Sequence, residues 1–429
     1  MRRLMVLSCL LLLGSGILFG QEKDPTQERL KALEERIAAL EAEVKALKAN
    51  QPASPPEAEA ATSVPVPAPA ASTAAPAAAP EPAPQAASAA ASTTPGQLPV
   101  YGGLSAASKV LNPDISVIGD FLGAVGRDPN RSVPTLEMHE SEVGFQAIVD
   151  PYARADFFLT FGEQGVNLEE GYLTFTALPG GFVGKVGKMR SAFGIVNTLH
   201  NHVLPWTDRP LATENLVGGE DGINDAGLSV SRILPAPKDI FLEATAQVFR
   251  GDSGDVFHST RRGDVLTVGH LRAYRDLTES TNLDLGASWA RGHNDVGTGF
   301  RTQLFGANAT LRWKPLRRAV YHSFLFRNEF FWSRREQLDS TQRAFGFYTA
   351  ADYRLNQRWT IGGRYDRSGR ADMASLTDSG FSPVITYWPS EFSQIRGQYR
   401  FTRYADGRSG NDFFMQFLFV LGAHGAHPF

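Results

Sequence analysis

Apolar and polar residues alternate with period two through most of residues 101–429, the spacing that places every second side chain on one face of a strand. In Tyr152–Phe161, Ala153, Ala155, Phe157, Leu159 and Phe161 alternate with Arg154, Asp156 and Thr160. In Arg358–Asp366, Trp359, Ile361 and Tyr365 alternate with Arg358, Thr360, Arg364 and Asp366. Gln394–Thr402 repeats the pattern, with Ile395, Tyr399 and Phe401 set against Gln394, Arg396, Gln398 and Arg400. Read this way, the segment predicts sixteen strands, the first beginning near residue 115, the eleventh near residue 319 and the last near residue 412. The expected fold is all-β. A soluble sandwich and a membrane barrel share this alternation, so other features must separate them.

Three do. Connections leaving even-numbered strands are short, as at Asp150-Pro151 and Thr278–Ser280, whereas those leaving odd-numbered strands are longer and polar, as at Gly251–Gly263, Ser368–Gly380 and Ala405–Asn411. Loops sorted by side in this way describe a closed antiparallel transmembrane barrel. Trp313, Trp359 and Trp388 fall beside the short turns and Trp289 and Trp332 at the opposite strand ends, the placement of two interfacial girdles. Phe413, Met415, Phe417, Phe419 and Leu421 alternate through the last strand, and the sequence closes on Phe429. This resembles the terminal strand of outer-membrane barrel proteins. The resemblance implies recognition of Phe429 by the barrel-insertion machinery. An even strand count also returns both barrel ends to one side, expected to be periplasmic.

The first hundred residues are different. All 6 Trp and all 11 Tyr lie after Val100, and Phe19 is the one Phe before it, so the N-terminal part lacks the side chains of a large core. Met1-Arg2-Arg3, the apolar run Leu4–Leu13 and the small residues Gly14-Ser15-Gly16 read as a signal peptide over residues 1–20. Cys9, the single cysteine, lies inside that run. A lipoprotein cysteine is the alternative there, but the apolar stretch before it is short and Leu10–Leu13 continue beyond it. If it is removed with the signal, no disulfide framework or thiolate metal site remains. After the signal no apolar run reaches the roughly 18 residues of a spanning helix.

Over residues 26–49, Leu30, Leu33, Ile37, Leu40, Val44 and Leu47 follow a heptad seam. Arg29–Glu34, Arg36–Glu41 and Glu43–Lys48 make attractive flanking pairs in a parallel assembly. A periplasmic coiled coil explains so narrow a stripe better than a solvated amphipathic helix does. Residues 51–98 form an Ala/Pro-rich linker, with runs such as Pro65-Val66-Pro67-Ala68-Pro69, that cannot bury enough apolar surface to fold. The net charge of −3 shows no bias toward nucleic acid.

Signal peptide, coiled coil, Ala/Pro linker and a barrel of about sixteen strands over 101–429, ending in Phe, together resemble the phosphate-selective porin superfamily, in particular its trimeric dicarboxylate-type members. The resemblance rests on architecture and covers most of the mature chain. It implies a homotrimer in outer-membrane lipid, with the third outward connection folded in as a constriction. That connection, read here as Ile195–Asn224, is the longest, and long loops without their own structure are commonly functional. Its candidate residues are His200, His202, Trp206, Asp208, Arg209, Glu214, Glu220 and Asp221. The histidines and carboxylates supply nitrogen and oxygen ligands suited to zinc-like ions. On an unconstrained loop, however, polar pore lining is the preferred reading, and no metal or cofactor is assigned.

If apolar positions face lipid, the alternate ones line the lumen. That gives an acidic wall of Asp120, Glu140, Glu142, Asp156 and Glu170, and a basic wall of Arg312, Arg354, Arg358, Arg364, Arg396 and Arg400. Arginine suits carboxylate or phosphate binding. The expectation is therefore passive diffusion of small polar or anionic solutes, with no catalytic residues. A TonB-dependent receptor would need an N-terminal plug and more strands, and no Ser/His motif marks a phospholipase. A structural tether working through the coiled coil, or a metal- or substrate-specific uptake channel, stays open.

Overall fold

The computed structural model describes residues 113–162, 165–254 and 256–422. Within them the chain closes into an antiparallel barrel in which every strand pairs with its sequence neighbours. The strands are β1 (Asp114–Arg127), β2 (Leu136–Asp150), β3 (Ala153–Gly162), β4 (Gly165–Leu178), β5 (Phe182–Arg190), β6 (Asn224–Leu234), β7 (Ile240–Phe249) and β8 (Leu266–Thr278). They continue with β9 (Thr281–His293), β10 (Arg301–Trp313), β11 (Ser323–Glu336), β12 (Thr341–Arg354), β13 (Trp359–Gly369), β14 (Thr377–Ser390), β15 (Ser393–Arg403) and β16 (Ser409–Gly422). β1 pairs with β16, Ser116 opposite Gly422 and Arg127 opposite Asn411. Closure leaves no edge strand to seek another chain. The expected signal peptide, coiled coil and linker, and Phe429, lie outside the described residues.

The pleat sorts the side chains. In β16, Phe413 is 50% exposed and the next residue, Phe414, only 1%. Phe413, Met415, Phe417, Phe419 and Leu421 all face outward. So do Trp289, Phe305, Trp332, Phe345 and Phe381, leaving large apolar groups bare around the wall. Bare apolar surface on this scale requires a covering of lipid or protein.

Three expectations need correction. Trp388 follows the inward parity of β14 and lines an interior cavity, while Tyr387 takes the outward place and packs on Trp359 at 4.7 Å between centroids. Strand eleven starts at Ser323, not near 319, because the amides of Tyr321 and His322 turn back onto the Arg318 carbonyl. The sorting of loops is incomplete: residues 163–164 alone join β3 to β4 on the long-loop side, and 314–322 join β10 to β11 on the short-turn side.

A larger correction concerns the interior, which does not face water throughout. Phe249, Leu266, Val268, Leu304 and Phe331 point inward from β7, β8, β10 and β11 and are buried. They pack with Phe193, Leu216, Val217 and Ile223 of residues 191–223, and with Val256 and Phe257 of the next outward connection. Each such side chain contributes about 1.5–3 kcal/mol by leaving water. One side of the lumen is thus a dry core, and the polar chemistry is confined to the rest.

Candidate functional site

Residues 191–223, the third outward connection, hold the site. Gly194 opens the segment with φ +68°, a left-handed value that a side chain would resist, and an added Cβ there would also strike the Glu329 carboxylate. Gly222, at φ +61°, closes it. Asn197 ties the two ends together: its side-chain amide donates to the Ser191 and Ile223 carbonyls at 3.0 and 3.1 Å and accepts from the Ile223 amide at 2.7 Å. Glu329 of β11 accepts from the amides of Ile195 (2.5 Å) and Val196 (3.1 Å) and from the Tyr348 hydroxyl (2.9 Å). Arg209 turns back to the carbonyls of Val196 and Leu199 at 2.9 and 2.8 Å and to Asn201. The segment therefore carries its own internal bracing.

The segment contacts walls of opposite charge. His200 meets the acidic wall: its Nδ1 lies 2.5 Å from Glu142 Oε2 and its Nε2 2.7 Å from Glu170 Oε2. His202 Nδ1 lies 3.6 Å from the same Glu142 oxygen. Burial alone would lower the His200 imidazole, but the hydrogen bonds to Glu142 and Glu170 and the charge of Glu169 outweigh it and push it up to about 10.

Asp208 meets the basic wall. It takes Arg364 at 3.1 Å, Arg400 and Arg131 at 3.5 Å each, and the Gln398 amide at 2.6 Å. Burial would raise its carboxyl, but the three guanidiniums hold it well below the ordinary carboxylate range. Glu214 pairs with Arg131 at 2.7 Å.

Trp206, 1% exposed, lies edge-on to Tyr348 and under the Arg364 guanidinium, 4.7 Å from its ring centroid. It anchors the segment and does not line open space. Glu220 and Asp221 are exposed, and Glu220 reaches His139 at 3.5 Å and Asn201 at 3.1 Å.

Of the acidic wall, Glu142 and Glu170 contact His200, with Glu140 beside Glu169. Asp156 pairs instead with Arg154 at 2.5 Å, and Asp120 accepts from Gln416 at 2.8 Å. Of the basic wall, Arg364 and Arg400 gather on Asp208, and Arg396 donates to the Trp206 carbonyl and to Gln416. Arg312 and Arg354 line an inner cavity. Arg358 is not a wall residue: it sits exposed in the turn 355–358, where Asn356 accepts its amide hydrogen.

Sequence reasoning missed Arg131, which reaches in from the first outward connection, and Glu169. Two β-bulges explain part of this. The register slips between Phe158 and Leu159 opposite β4, and between Asp120 and Phe121 opposite β2. The extra residues are Glu169 and His139. A bulge breaks the period-two rule, so adjacent Glu169 and Glu170 are both buried.

The segment separates two cavities. An outer one of about 610 Å³ has Leu211, Glu214 and Asn215 of the segment among its walls, with Arg131, Arg370 and Arg408. An inner one of about 270 Å³ is bounded by Leu199, His202 and Leu204, with Arg312, Arg327, Arg354 and Arg396 facing Asp352 and Glu391.

No family model matches the sequence. An uncharacterized protein of Aquifex aeolicus is 28% identical over 389 residues, spanning 75% of this chain and 81% of that protein. Among solved structures, the anion-selective porin of Comamonas acidovorans superposes with a TM-score of 0.52 at 10% identity, covering 72% of this chain and 99% of that one. A loop-deletion mutant of OmpT, an outer membrane protein of Vibrio cholerae, superposes with a TM-score of 0.50 at 11% identity, covering 72% and 99%. At such identities the likeness is one of fold. The architecture is that of a sixteen-stranded porin-type barrel.

Proposed function

We propose that this protein is an outer-membrane porin, a passive diffusion channel for small polar or anionic solutes, with residues 191–223 as its constriction. The observation that carries this reading is the position of that segment, held by His200 to one wall and by Asp208 to the other, with a cavity on either side. The outward apolar belt supports embedding in lipid with the two barrel ends on the periplasmic side. Four arginines against two carboxylates in the inner cavity support a mild anion preference. The heptad seam over 26–49 supports self-association as a homotrimer, and Phe429 supports assembly through the barrel-insertion machinery.

Planar-bilayer recording tests the reading. The wild-type protein gives stepwise triplet openings with a reversal potential on the anion side in a salt gradient. Replacing residues 196–218 by a short Gly/Ser bridge raises the single-channel conductance. Silence of the folded wild-type protein, or an unchanged conductance in the deletion, overturns the proposal.

A further inference from the structure

We infer that Glu142, His200 and His202 form a divalent transition-metal site of the zinc type that fastens the third connection to the acidic wall. Such a site would be present whether or not the barrel conducts.

One ligand atom from each of Glu142, His200 and His202 falls within 4.8 Å of the others. All three residues are buried, so the cluster is not a solvated surface patch. Four glutamates meet here, Glu140, Glu142, Glu169 and Glu170, with Arg190, Arg209, His139 and His200 around them. Glu169 is taken up by Arg190 and Glu140, whereas Glu142 stands between His200 and His202, both of which turn a ring nitrogen toward its Oε2. A buried carboxylate shared by two imidazoles is a ready anchor for a cation.

The geometry suits the ion. Tetrahedral zinc, bound at about 2.0–2.2 Å, sets its ligands about 3.3–3.6 Å apart. His202 Nδ1 and Glu142 Oε2 stand at 3.6 Å. The pair that departs is His200 Nδ1 and Glu142 Oε2, at 2.5 Å. That is a hydrogen-bond separation, and it opens by about 1 Å when a metal replaces the shared hydrogen. The other nitrogen of His200 faces Glu170 Oε2 at 2.7 Å. A carboxylate on the far nitrogen fixes the tautomer and aims the near nitrogen at the ion, so Glu170 is a positioning residue. Two imidazoles with one carboxylate select zinc-like ions over magnesium or calcium, and leave the fourth position to water.

The test uses the full-length protein, purified in detergent after chelator treatment. Zn²⁺ is titrated by calorimetry, and Co²⁺ is added as a spectroscopic probe. The expected result is a site taking one Zn²⁺ per chain, insensitive to excess Mg²⁺, with the intense visible absorption of tetrahedral Co²⁺. His202→Ala and Glu142→Gln abolish it. Glu170→Gln keeps the Co²⁺ spectrum but weakens affinity about 10–100-fold. Heat-modifiable gel mobility reports that each variant is folded, and His202→Asn replaces any that is not. A paired His424→Ala, His427→Ala variant retains the site. Binding that survives in folded His202 and Glu142 variants, binding lost with the C-terminal histidines, or no stoichiometric Zn²⁺ in the wild type overturns the inference.

Discussion

The third connection is held at two places that differ in how their charges are settled. At the basic wall, Asp208 is surrounded by Arg364, Arg400, Arg131 and Gln398, while Arg364 and Arg400 keep further partners in Asp366 and Asp412 at 2.7 Å each. Cation and anion are both supplied by the chain. At the acidic wall, four glutamates gather around His200 and Arg190, with Arg209 and His139 nearby, and the contact of the segment itself runs through the one imidazole of His200. A carboxylate held by guanidiniums, which stay charged, resists a change of solution; a contact made through an imidazole responds to it. The first contact is therefore the fixed one and the second the adjustable one.

The largest break in this contrast comes from Asp208→Ala. Removing one member of a buried ion pair costs about 3–5 kcal/mol, because the partner charge stays behind. Arg364 and Arg400 each retain a carboxylate, which places the loss at about 3 kcal/mol, equal to about a hundredfold faster exchange of the backbone amides of residues 204–213. Hydrogen exchange read by mass spectrometry decides it, and unchanged protection refutes the fixed character of this contact. The same experiment carries a pH prediction. Asp208 is depressed below its ordinary value of 3.8, so its contribution is fully present above that value and is lost only as pH falls through the lower folded value. After correction for intrinsic rates, protection of 204–213 stays level from pH 7 to about pH 5.

A smaller effect is expected at Glu329, which holds the entry to the segment through two amides and the Tyr348 hydroxyl. Glu329→Gln keeps the shape and one carbonyl oxygen but removes the charge. Hydrogen bonds to charged groups contribute about 1.5–3 kcal/mol, and part survives through that oxygen. Faster exchange confined to residues 195–198 is the expected reading. Loosening that spreads to 204–213 would show that the entry, and not Asp208, secures the segment.

The barrel was largely legible in the sequence and the site only in part. Alternation, sorted loop lengths and the aromatic last strand specify strand number and order, because a lipid-facing wall allows only one parity. The long third connection and its His200 and Asp208 stand out for the same reason: few other segments are both long and rich in Trp, Leu and charge. The pairing of these residues was not legible. Which wall each side chain meets depends on the path of a loop with no period. The bulges at His139 and Glu169 shift two residues to a face that alternation denies them. The dry side was missed because Phe249, Leu304 and Phe331 look like lipid-facing residues until a loop is packed on them.

Glu214 supplies the finest distinction. It lies at the edge of the basic cluster, 23% exposed, paired with Arg131 at 2.7 Å. Burial raises its carboxyl even beside Arg131, so the charge adds less than the short distance suggests. Arg131 also keeps the Thr402 hydroxyl at 3.0 Å, the Tyr404 hydroxyl at 3.3 Å and Asp208 at 3.5 Å. Glu214→Gln preserves an acceptor for Arg131 and should cost under about 1 kcal/mol, within the range of partly exposed ion pairs. Exchange at 204–213 then rises by less than about fivefold. A change as large as that of Asp208→Ala would mean that the cluster hangs on Arg131, which enters from a different loop. The basic contact would then owe its rigidity to the meeting of two outward connections and not to the barrel wall.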